Sequence, residues 1–139
     1  MVTRIPDGVR SAACNAVVDR VDAGTTNASG RLRVYSGPQP ASANSAPTGT
    51  LLAEVPLALP AFTEASNGVA TLLGVPLTTD GLEAGTAGWF RIVDRDVVTV
   101  LDGSAGTAGT QLILNTATIS PGVTVQINSG TITMPGSEP

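Results

Sequence analysis

The chain has no histidine and only one cysteine, Cys14, in 139 residues. Without histidine it lacks the commonest general base and metal ligand at neutral pH. One cysteine excludes a disulfide framework within the chain and a cysteine-based zinc site. Charge is also scarce, at 13% of residues, well below the share of an ordinary globular domain. Lysine is absent, so all seven basic residues are arginine, against eleven acidic ones, for a net charge of −4. The arginines are scattered. Only Arg31 and Arg33 fall together at strand spacing, too small a pair to track a phosphate backbone, so no nucleic-acid partner is expected. No apolar run approaches the ~18 residues that span a bilayer, and no basic stretch followed by an apolar one opens the chain. The expectation is a product made in the cytoplasm with no membrane partner.

What is present is apolar and small. Hydrophobic residues make up 42%, with 16 glycines, 10 prolines and few aromatics. Low charge argues against disorder, and the glycine and proline content argues for short strands joined by tight turns. One domain over 1–139 is expected. Residues 1–6 read as an arm carrying Val2 and Ile5. Residues 7–23 read as a helix, bounded by Pro6 and Gly24, with Val9, Ala13, Ala16, Val17 and Val21 near helical spacing on its apolar side.

Beyond a linker the pattern changes to strand and turn over 31–134. In "RLRVYSG" Leu32 and Val34 alternate with Arg31, Arg33 and Tyr35. Residues 38–49 form a surface loop of Pro, Ala, Ser and Asn. Asn67-Gly68 between two strand-like runs predicts a type I′ hairpin. In "GWFRIVD" Trp89, Arg91 and Val93 share one face, with Phe90 and Ile92 on the other. Arg95-Asp96 and Asp102-Gly103 read as turns, 104–109 as a loop, and 111–118, 123–128 and 131–134 as the last strands. The fold class is therefore mainly β: an antiparallel sandwich or barrel-like domain of eight or nine short strands with one N-terminal helix.

The residues offer little chemistry. Asp94, Asp96 and Asp102 carry oxygen ligands, but without the spacing of a calcium loop; turn-forming side chains explain them better. Cys14 sits mid-helix with nothing to activate it and reads as a small buried hydrophobe. "DGSAG" at 102–106 has Asp in place of the first glycine of a nucleophile elbow, and no histidine completes a triad. The spacing of Glu54, Glu64, Asp80 and Glu83 gives no carboxylate pair across a cleft. "GTAG" at 85–88 and 106–109 lacks the lysine of a phosphate loop. Asn27-Ala28-Ser29 matches a glycosylation sequon by chance. Trp89 reads as a core anchor. No enzyme activity, metal or cofactor is expected.

The order of short motifs resembles a family of small tailed-bacteriophage virion-associated β-domain proteins. Its motifs appear here as "YSGPQP" (35–40), "GTLLAEVPL" (49–57), "ASNGVAT" (65–71), "GTAGWFRIVDRD" (85–96), "LDGSAGTAGTQLILNT" (101–116) and "TMP" (133–135). The departure is "DRDVV" (94–98), where the family has a glycine after the second aspartate. The resemblance implies a non-enzymatic virion structural protein. Capsid decoration or cementing ranks first, a tail or neck component second, a host-surface binding module third. The partners implied are the major capsid protein and copies of the chain itself. The segments expected to make contacts are the arm at Val2 and Ile5, the loop at Pro38 and Pro40, and the tail 135–139, beginning with Pro135.

Overall fold

In the computed structural model, residues 3–134 are described. Helix α1 (Asp7–Asp19) runs into a 3-10 turn (Arg20–Asp22). Nine strands follow: β1 (Arg31–Ser36), β2 (Leu51–Pro56), β3 (Val69–Thr71), β4 (Leu77–Asp80), β5 (Gly85–Val93), β6 (Thr99–Gly106), β7 (Leu112–Leu114), β8 (Thr118–Ile119) and β9 (Thr124–Thr133). They form one sheet in the order β2-β1-β5-β6-β7-β9-β3, with β4 also on β9 and β8 on the start of β5. The sheet curls into a half-barrel, the barrel-like form of the expected fold. Its curl brings the end of β4 against β2: Leu82 N–H donates to the Leu52 carbonyl (2.8 Å) and Thr79 Oγ1 to that of Glu54 (3.0 Å). Backbone groups of the β2 edge are thereby covered, which removes a template for pairing with another chain.

The strict alternation in β1 and β5 places the core. Leu32 pairs with Ile92 and Val34 with Phe90, and all four are buried on the concave face with Leu52, Leu112, Leu114, Ile119, Val125 and Ile127. Helix α1 packs against this core through Cys14 and Val18, and the 3-10 turn adds Val21. Cys14 is completely buried, which raises its thiol pKa, and it donates weakly to the Ile132 carbonyl (3.6 Å). The small-hydrophobe reading of this residue holds.

The helix is rotated part-way from the expected face: Val21 is buried and Ala13 and Val17 are half-buried as expected, but the rest of that side turns outward. Val9 is 50% exposed and Ala16 is exposed. A polar stripe turns inward instead. Ser11 Oγ accepts from Gly68 N–H (3.1 Å), Asn15 Oδ1 from Ala65 N–H (2.7 Å), and Asp22 Oδ1 from Ala61 N–H (3.1 Å). Buried backbone donors need partners, and here the need to satisfy them decides which side of a weakly amphipathic helix faces in.

The Asn67-Gly68 turn forms as expected. Both residues have positive φ, 51° and 77°, and Ser66 and Val69 exchange backbone hydrogen bonds around them. Three expectations fail, the first being that 111–118 forms one strand: it divides into β7 and β8. Asp102-Gly103 lies inside β6 rather than at a turn, and Ser129-Gly130 lies inside an unbroken β9. Strand β4, with only Leu77 apolar, had no pattern to betray it. One pair, β6 with β7, is parallel. Ser104 and Gln111 hold that tight return by reciprocal bonds: Ser104 N–H to Gln111 Oε1 (3.2 Å) and Gln111 N–H to Ser104 Oγ (3.3 Å).

Candidate functional site

The convex face of the sheet carries the densest group of polar and aromatic side chains. Tyr35 and Trp89 are cross-strand partners. Their rings stack with centroids 4.5 Å apart and an interplanar angle of 15°. The Arg91 guanidinium carbon lies 5.3 Å from the Trp89 ring centroid, a cation–π contact. Arg91 in turn grips Asp102 on β6 with both arms of its fork, Nε–Oδ1 at 2.7 Å and Nη2–Oδ2 at 3.1 Å. Both side chains of the pair are 4% exposed. The hydrogen bond that Arg91 donates to Asp102 is the largest cause holding the Arg91 pKa above its ordinary value. Tyr35, Trp89 and Val93 are buried but separate from the concave core, so the sheet is buried on both faces here. Residues 37–49 pass over the aromatic end, where Ser45 offers its carbonyl to Arg91 Nη1 (2.9 Å).

Further along the same face Glu54 joins Arg33 (2.6 Å) and Arg31 (3.1 Å). Burial alone would raise the Glu54 pKa, but the bonds and charges of the two arginines outweigh it and leave it below the usual range.

The hairpin between β5 and β6 is built from two of the three aspartates weighed above as metal ligands. Asp94 Oδ1 accepts from the N–H groups of Asp96 and Val98, both at 2.9 Å. Asp96 Oδ1 accepts from Thr25 and Thr26 N–H, both at 2.9 Å, and these bonds lower its pKa. Arg95 Nε donates to the Asn27 carbonyl (2.8 Å), and Asn27 Nδ2 donates to that of Arg95 (2.9 Å). The three aspartates are thus spent on a turn, a loop clasp and an ion pair. Among the described residues no three His, Cys, Asp or Glu side chains gather as a metal site.

At the tip of this hairpin Val97 has φ 65° and is 44% exposed. A β-branched residue is rare in that region, and the left-handed conformation costs about 1–2 kcal/mol. The hydrogen bonds of Asp94, Arg95 and Asp96 hold the backbone there regardless. Val97→Gly is expected to stabilise the chain by about 0.5–1 kcal/mol, the relief of strain less the extra flexibility of glycine in the unfolded chain. Differential scanning calorimetry should show a rise in Tm of a few degrees; an unchanged or lower Tm would refute the strain.

Between this hairpin and α1 lies a surface groove of about 260 Å³, lined by Ala16, Val17, Arg20, Asp94, Val98 and Val100 among others. Its volume is below that of ordinary ligand pockets. A void of about 10 Å³ beside Phe90 is at the lower limit for one water.

The expected contact residues separate. Val2 and Pro135 lie outside the described residues. Ile5 is half-buried against its own domain, Pro38 is exposed and Pro40 half-buried. Arg10 joins the start of α1 to the end of β9, through Asp7 (2.8 Å) and the Met134 carbonyl (2.9 Å). Strands β1 and β3 run in the same sense through the sheet, so Pro38, after β1, and the Asn67-Gly68 hairpin, before β3 and beside Met134, lie at opposite ends.

The described residues thus define a mainly β, half-barrel domain braced by one helix. Comparison with protein-family models, with curated proteins and with solved structures returns no match.

The Glu54 and Asp96 shifts set an acid limit. Both carboxyls are depressed in the folded state, so the stability they contribute is present above their unfolded pKa values and is lost as pH falls through the folded ones. Urea midpoints should fall as pH drops below about 4.5. Glu54→Gln should flatten that fall, and an equally steep decline in the variant would exclude Glu54 as a source.

Proposed function

We propose that the chain is a non-enzymatic structural component of a tailed-phage virion, acting as a decoration or cement protein on the capsid shell. Its partners are then the major capsid protein and further copies of itself, and its place is the virion after synthesis in the host cytoplasm. One observation carries the reading. The motifs behind the family resemblance converge in space, and they do so on a structural cluster. "YSGPQP" supplies Tyr35, "GTAGWFRIVDRD" supplies Trp89 and Arg91, and "LDGSAG" supplies Asp102. These residues lock three strands, β1, β5 and β6, and a covering loop together. A signature spent on rigidity suits a domain whose work is repeated contact, where avidity over many copies replaces tight single-site binding.

The test is the composition of purified particles. Decoration predicts many copies that sediment with heads, and shells that resist heat better with the protein than without it. Sedimentation with tails alone would replace this reading with the tail or neck one. Absence from particles would overturn both.

A further inference from the structure

We propose that residues 37–49 are a strap that opens as a unit from the convex face while the barrel stays folded, and that the Arg91 guanidinium is its latch. Trp89 has no exposed surface and Tyr35 is 6% exposed, yet neither belongs to the concave core. The Arg91 guanidinium, set against the Trp89 ring, holds the Ser45 carbonyl of a segment whose residues from Ala41 to Gly49 are all exposed, so that segment owes little of its position to buried side chains. Among the described residues, the one hydrogen bond joining residues 38–48 to the sheet is that from Arg91 Nη1 to the Ser45 carbonyl. The other bonds of this stretch are internal, Ser45 N–H to the Ser42 carbonyl (3.0 Å), Asn44 N–H to Ser42 Oγ (3.1 Å) and Thr48 Oγ1 to the Pro38 carbonyl (3.4 Å).

The two ends are built as fixed points. Gly37 and Gly49 both have φ 81°. At Gly49 a Cβ would collide with the Ser36 carbonyl oxygen, and at Gly88 with that of Gly37. Ser36 N–H donates to the Thr50 carbonyl (3.0 Å), and Thr50 N–H to Ser36 Oγ (2.9 Å), closing the base of the loop. A segment with closed ends, few buried contacts and one central bond is the kind that opens locally at low free energy. Opening leaves the Arg91–Asp102 pair and the concave core in place. It uncovers a tyrosine, a tryptophan and an arginine, the residue types that dominate binding hot spots.

Trp89 is the only tryptophan, so its fluorescence reports this face alone. The experiment follows acrylamide quenching of Trp89 and far-UV circular dichroism across the same urea series. Quenching is expected to rise before the ellipticity changes. The double variant Pro38→Gly, Pro47→Gly gives the opened strap more freedom and should increase the open population about fivefold or more, with the ellipticity midpoint unmoved. Arg91→Lys lacks the fork that reaches Asp102 and Ser45 together and should raise quenching before urea is added. Coincident transitions in the parent and the proline variant would overturn the strap. Early quenching in both, with Arg91→Lys no more open than the parent, would overturn the latch. All of this is read on the isolated chain and stands or falls apart from any role in a particle.

Discussion

Asp102→Ala is expected to cost about 3–5 kcal/mol, a large part of the stability of a domain this size. The reason is what it leaves behind. Arg91 is 3% exposed. Without Asp102 its charge would remain buried, with the Ser45 carbonyl and the Trp89 face as its remaining partners. A guanidinium does not shed its proton to escape that cost. The pair itself is another matter, because two charges lose their hydration when they are buried together, and their attraction only about repays it. Replacing both, as Arg91→Met with Asp102→Leu, should therefore recover most of the loss seen in the single variant. Urea unfolding of the two variants decides the point. A single variant within about 1 kcal/mol of the parent would show that the site admits water and is not desolvated.

This ion pair also shows where the sequence was legible and where it was not. The alternation in "RLRVYSG" and "GWFRIVD" assigned residues 31–35 of β1 and 89–93 of β5 to their faces, and Asn67-Gly68 announced its turn, because both signals are local and strong. Asp102-Gly103 carried an equally good turn signal and misled. Gly103 is in the strand because a Cβ there would lie 2.5 Å from Phe90 Cε1 and from Gln111 Oε1; the need is for close approach and arises from residues far along the chain. The helix misled for a related reason. Its apolar and polar residues are nearly balanced, and the backbone N–H groups of Ala61, Ala65 and Gly68 chose between the faces. The partnership of Arg91 with Asp102 was hidden because Asp102 had been assigned to a turn. Once β6 is extended through it, the register Arg91↔Asp102 follows directly from Trp89↔Ser104.

Trp89 and Phe90 stand on opposite faces of β5, and both are expected to be indispensable for different reasons. Phe90→Ala empties part of the concave core, and Trp89→Ala empties the space beneath the strap; each should cost about 3–5 kcal/mol. Trp89→Ala also strips Tyr35 of its stacking partner, worth about 0.5–1.5 kcal/mol more. The more discriminating change is Trp89→Phe. The indole Nε1–H is buried with no acceptor among the described residues, and an unsatisfied buried donor costs about 1–3 kcal/mol. Phenylalanine removes that donor while keeping a ring between Tyr35 and Arg91. The penalty for lost volume is offset by the removal of the stranded N–H, so Trp89→Phe should fall within about 1 kcal/mol of the parent. Equilibrium urea unfolding of the three variants, followed by circular dichroism, supplies the comparison. If Trp89→Phe costs as much as Trp89→Ala, the indole N–H has a partner that matters, and the ring's role on the convex face is polar rather than a matter of packing.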